Sequence, residues 1–111
     1  MKFNGTPGPW VAVQQYVDEV SVTDSQGFKV VTAERTAILM DWDKKGFEHW
    51  GDEGGSRHLS CPEQFSNAYL IAAAPDLLEA LQDALCVMER HGKIFDPVVC
   101  KAREAIIKAI G

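Results

Sequence analysis

Pro75 sits inside the alanine-rich run Asn67-Ala-Tyr-Leu-Ile-Ala-Ala-Ala-Pro-Asp-Leu-Leu-Glu-Ala-Leu81, and it constrains the fold more than any other residue. The run is helical by composition, and leucines return at helical spacing beyond the proline. Proline lacks a backbone N–H and disfavours helical geometry at the residue before it. It therefore bends a helix or opens a new one as its first residue. The second outcome is the expected one: a helix over Gln64–Ala73, started by Ser60 or Cys61 ahead of Pro62, then a new helix from Pro75 to Arg90. Leu77, Leu78, Leu81, Leu85 and Met88 make the apolar stripe of that second helix. His91-Gly92 ends it, with glycine as a left-handed cap. Asp96-Pro97 then supplies an N-cap and a first helical residue for a last helix running to Ile110. Its predicted stripe is Val98, Ala102, Ala105, Ile106 and Ala109. The short connection makes the last two helices antiparallel.

The first forty residues read differently. Thr6-Pro-Gly-Pro-Trp10 is a rigid turn, and Trp10–Tyr16 suits an extended strand. Glu19–Thr23 and Phe28–Thr32 flank Asp24-Ser-Gln-Gly27, a four-residue hairpin connection ending in glycine. Val20 and Val22 alternate with Ser21 and Thr23, which predicts a strand with one wet face. Ala37–Met40 is a candidate fourth strand. The expected architecture is a single α+β domain over residues 1–111: an antiparallel β-meander (1–40), a long aromatic and glycine-rich loop (41–63), and helices (64–111) forming a hairpin packed on the sheet. Flexibility is expected to be greatest around Gly51-Asp-Glu-Gly-Gly55.

Two blocks of this chain resemble a family of small accessory proteins of tailed phages and prophages. One is the Thr6-Pro-Gly-Pro-Trp10 turn. The other is Asn67–Leu81, continuing into Lys101-Ala-Arg-Glu-Ala-Ile106 and the terminal Gly111. The pair is specific as a family signature, but the resemblance implies no catalytic residue. Asp41-Trp-Asp-Lys-Lys-Gly-Phe-Glu-His-Trp50 lies outside the pattern.

Charge narrows the range of partners. The chain carries a formal charge of −5, which disfavours sequence-independent binding to a phosphate backbone. The distribution is uneven: residues 1–86 hold six Lys/Arg against thirteen Asp/Glu, whereas residues 87–111 hold five against three. The acidic part suits imitation of nucleic acid toward a host protein, and the helical end suits an anion. No apolar run approaches membrane-spanning length, and no secretory signal pattern opens the chain. Three cysteines at irregular spacing fit reduced thiols and a cytoplasmic location, here the infected bacterial host. Cys86 and Cys100 each lie seven residues from Lys93, so an antiparallel pair sets them at similar height. They read as reduced core thiols, with contact between them left open.

No catalytic residue, metal site or cofactor is expected. His49, His58 and Cys61 are close in sequence, but their spacing matches no ligand-pair module. Pairings of Ser56, Ser60 or Cys61 with His49 or His58 lack a nucleophile elbow. Carboxylates such as Asp41/Asp43 and Asp52/Glu53 read as a solvated face. The candidate ligand- or partner-binding residues are Trp42, Lys44, Lys45, His49, Trp50, Arg57, His58, Lys101 and Arg103. Aromatics there would stack on a base while cations meet phosphate. The plainer reading makes Trp10 and Trp42 core residues, and Lys101 and Arg103 solvated helix positions. The alanines of the helical half permit close helix approach, so a homo-oligomer, dimer or higher, is expected through that half.

Together these features point to a non-enzymatic phage accessory protein that antagonises a bacterial defence system. It would do so by blocking a host protein or by sequestering a signalling nucleotide. The alternative is a part in phage DNA metabolism or morphogenesis with no immune target. A nucleotide trap requires cations and an aromatic converging on one concavity; a surface blocker requires an exposed apolar or acidic patch.

Overall fold

Three strands, β1 (Val11–Tyr16), β2 (Glu19–Thr23) and β3 (Lys29–Ala33), form an antiparallel sheet in the order β1-β2-β3. The computed structural model describes residues 2–17 and 19–111. Asp24 closes the β2–β3 turn, its Oδ1 accepting the backbone N–H groups of Gln26 and Phe28, each at 2.9 Å. Val22 lies opposite Ala12 on β1 and Val31 on β3. Val20 and Val22 face the first helix and, with Ala33, Ala68 and Ala72, form one buried cluster; Trp10, Ala12, Phe65 and Ile71 pack around it.

Ser21 and Thr23, predicted on a wet face, are buried as well. β2 is the central strand, so its short side chains sink beneath longer ones from both neighbours. The Ser21 hydroxyl donates to Glu19 Oε1 at 3.1 Å, and the same carboxylate pairs with Lys29.

The largest departure from expectation is at Pro75. One helix, α1 (Cys61–Arg90), runs through it for 30 residues without a break, a length of about 45 Å. The cost of an interior proline is about 3 kcal/mol. Good helix formers surround it, and the helix is packed on both sides of the interruption. Ser60 caps the start, accepting the Glu63 N–H at 3.3 Å, and His91 with Gly92 ends it, as predicted. Asp96 Oδ1 accepts the Val98 N–H at 2.8 Å and opens α2 (Pro97–Ile110).

The Thr6–Trp10 turn and the alanine-rich helical segment meet at Pro75. Gly8 backs onto it so closely that a Cβ at Gly8 would come within 2.8 Å of the Pro75 Cβ. The turn is closed by Trp10 Nε1, which donates to the Thr6 carbonyl at 3.2 Å, and it contains a cis Gly8–Pro9 peptide. Turn and helix thus share a close packing contact.

α1 packs on the sheet through its N-terminal half and on α2 through its C-terminal half. The second core is Leu85, Val99 and Ile106, with Leu78, Leu81, Met88, Ala102 and Ile110 around it. The predicted α2 stripe is corrected here: Val99 is buried, while Val98 is 62% exposed. Cys86 and Cys100 are free, as is Cys61. They are not core thiols, since Cys86 is exposed and Cys100 half-buried.

The fourth strand exists but does not join the meander. β4 (Thr36–Ile38) pairs with β5 (Ser56–His58), a strand inside the segment expected to be a loop. Among the described residues no helix is long and apolar enough to cross a membrane.

Candidate functional site

The β4–β5 hairpin and the residues between its strands form an arm. Among the described residues its two strands form a ladder with each other and with no other strand. Thr36, Ala37 and Ile38 lie opposite His58, Arg57 and Ser56, and the ladder is extended by Leu39 N–H donating to the Gly55 carbonyl at 2.9 Å. Contacts at its base tie the arm to the body. Leu59, which is buried, donates its N–H to the Arg35 carbonyl at 2.6 Å. Arg57 makes a two-pronged contact with Glu63 in the first turn of α1, at 3.0 and 3.3 Å.

Hydrogen bonds rather than burial shape the tip. Residues 41–47 coil tightly, with Lys45 N–H donating to the Asp41 carbonyl and Phe47 N–H to the Trp42 carbonyl, both at 3.1 Å. Asp52 Oδ2 accepts from the backbone of Glu48 at 3.1 Å and of His49 at 2.9 Å. The Gly51–Gly55 segment, expected to be the loosest, is thus fastened by a side-chain cap. Gly55 is buried against the Trp50, Asp52 and His49 carbonyls, where an added Cβ would lie 2.9–3.2 Å from those oxygens. Only glycine fits that approach.

Beside the hairpin lies an open groove of about 610 Å³. Its apolar wall is Ala37, Ile38, Leu39 and Met40, and its cations are Lys45 and Arg57. Ile38 is 49% and Met40 78% exposed. Among the described residues no carboxylate lines the groove, in a chain whose net charge is −5, and Arg57 reaches out of it to Glu63. The arrangement suits an acidic group set beside an aliphatic one.

The nine candidate residues do not form one site. Lys45 and Arg57 share the groove. Trp42, His49 and Trp50 form a separate aromatic set, with ring centroids 6.4 Å apart for Trp42–His49 and 5.1 Å for His49–Trp50. Lys44 is exposed and does not line the groove. His49 Nδ1 accepts the Gly51 N–H at 2.9 Å, and His58 Nδ1 lies 3.0 Å from the Thr36 hydroxyl, so each ring fastens its own turn or hairpin. The described residues bring together no group of three His, Cys, Asp or Glu that could hold a metal ion. Lys101 and Arg103 belong to α2, which contacts α1 alone among the elements. Arg103 donates to Glu89 at 2.9 Å, a hydrogen bond that raises its pKa above the ordinary arginine value.

Sequence reasoning missed Ile38, Leu39 and Met40. The available signal was a run of four apolar residues, Ala37–Met40, without the alternation of a half-buried strand.

The model of the family described as Salmonella phage P22 protein Y8K6 matches residues 1–111. No curated protein and no solved structure matches the chain. The turn, the helix and the arm all fall within the matched span, so the chain belongs to the Salmonella phage P22 protein Y8K6 family.

Proposed function

We propose that this phage-family protein acts by binding rather than by catalysis, and that the arm is its recognition element. Its partner is a host protein presenting an acidic side chain beside an aliphatic one, and the consequence of binding is antagonism of a bacterial defence system. The observation carrying this reading is the arm itself: a tip held by backbone hydrogen bonds, displaying Ile38, Met40, Lys45 and Arg57 on a groove outside both cores. Surface apolar residues grouped beside cations are typical of contact patches. A protein surface is favoured over a nucleotide because Lys45 and Arg57 meet aliphatic walls, whereas Trp42 and Trp50 lie tilted against His49 outside the groove.

Deleting the gene from its phage tests the setting. Plating is then compared on hosts with and without defined defence systems. Loss of plating confined to a defended host supports antagonism. An equal loss on every host would instead favour the role in DNA metabolism or morphogenesis.

A further inference from the structure

α1 uses two opposite faces. At 3.6 residues per turn, Ala68 and Ala72, which meet the sheet, lie nearly across the helix from Leu81 and Leu85, on the side that α2 covers. The α2-facing stripe does not end where α2 ends. It continues through Leu77, Ala74 and Leu70 at spacings of three and four, and there it is open: Leu77 is 53% and Leu70 65% exposed. With Ala105 and Ala109 of α2, these residues line an apolar groove of about 350 Å³. Asp76, Glu79 and Asp83 fall roughly 140–180° around the helix from Ala74, so no charge from α1 interrupts the stripe there.

The exposed area of the chain is large enough to supply an interface. A compact monomer of this mass exposes about 6,100 Å², whereas this 12.3 kDa chain exposes 8178 Å². Its radius of gyration is 18.2 Å, against about 13 Å for a compact domain of the same length. The excess of roughly 2,000 Å² is more than twice the ~800 Å² that each partner gives to a standard interface.

We infer that a second copy of this chain covers the stripe, forming a two-fold dimer in which the Leu70–Leu77 segments pack antiparallel across Ala74. The exposed stripe continues the core of the α1–α2 hairpin, so it needs cover whenever the chain is folded. A second copy is the one partner always present in equal amount. The surface is self-complementary: leucines flank an alanine that lets two backbones approach, and the carboxylates Asp76, Glu79 and Asp83 point away from the partner. Two hairpins joined in this way make a four-helix layer with one continuous core.

Sedimentation equilibrium across a wide range of protein concentration tests this. The native chain is expected at twice 12.3 kDa, and the Leu70→Glu/Leu77→Glu variant at the monomer mass with unchanged helical circular dichroism. Should that variant lose its helicity, a second probe decides. Ala74→Cys, with Cys61, Cys86 and Cys100 replaced by serine, is expected to couple to its own copy through a short bis-maleimide linker. A native chain that stays monomeric throughout overturns the proposal. So does a dimer that survives the double glutamate variant, or one that Ala74→Cys fails to couple.

Discussion

The molecule contains two antiparallel β elements, and they are held by different forces. In the β1–β3 sheet the central strand is buried along Val20–Thr23, with α1 laid across the valine face. The β4–β5 arm has three-residue strands that belong to neither buried cluster, and its tip is fixed by the Asp52 cap and the close approach at Gly55. Side-chain burial makes the sheet part of the folding unit. Hydrogen bonding gives the arm a defined shape while leaving its apolar side chains at the surface. The sheet is therefore sensitive to sequence for stability, and the arm for what it displays.

That contrast is sharpest for a buried charge. Val22→Asp places an unpaired carboxylate at a fully enclosed position and is expected to cost more than about 4 kcal/mol, enough to abolish cooperative unfolding in a denaturant titration. Met40→Asp on the arm is expected to shift stability by less than about 0.5 kcal/mol in the same titration. Comparable losses at the two positions would erase the distinction between sheet and arm.

Gly8→Ala tests the contact between the turn and α1. The new methyl meets the rigid Pro75 ring at 2.8 Å, so turn or helix must shift. The expected cost is about 1–3 kcal/mol, read as a lowered melting temperature. An unchanged melt would show that the turn does not depend on the helix.

A smaller and local effect is expected from Asp52→Ala. Two backbone donors, of Glu48 and His49, lose their acceptor, at about 1 kcal/mol. Hydrogen exchange should quicken in the arm and stay unchanged in β2. Quickening in both would mean that arm and sheet open together.

The smallest effect concerns acid. Hydrogen bonds from Lys29 and then Ser21 hold the Glu19 carboxyl below the ordinary carboxylate range. Its folded pKa is below its unfolded one, so its contribution is present above the unfolded value and is lost as pH falls through the folded value. Glu19→Gln should therefore lower stability slightly at neutral pH, flatten the acid limb, and converge with the native chain at the lowest pH. Salt should shrink the difference, because the pair is at the surface. A variant whose acid limb overlays that of the native chain would show that the pair is energetically silent.

Much of this architecture is legible in sequence because local chemistry dictates it. Ser60, Asp96-Pro97 and His91-Gly92 mark helix ends through side-chain capping and glycine geometry, and Asp24–Gly27 marks the hairpin. Pro75 misleads because its local penalty is visible in sequence, whereas the packing on either side of it is tertiary. Val98 and Val99 illustrate the same limit: neighbouring, chemically identical side chains fall on opposite sides of burial according to where α1 lies. The candidate site was legible only in part. Lys45 and Arg57 stand out as cations in an acidic chain, but the groove needs the Ala37↔Arg57 pairing, a long-range register that no local pattern reveals.

The most direct test of the arm as recognition element replaces Met40 with Asp and Lys45 with Glu together, then supplies the variant in place of the deleted gene during infection of defended hosts. The account predicts a protein that melts like the native chain and fails to restore plating. Full restoration by a stably folded variant would contradict it.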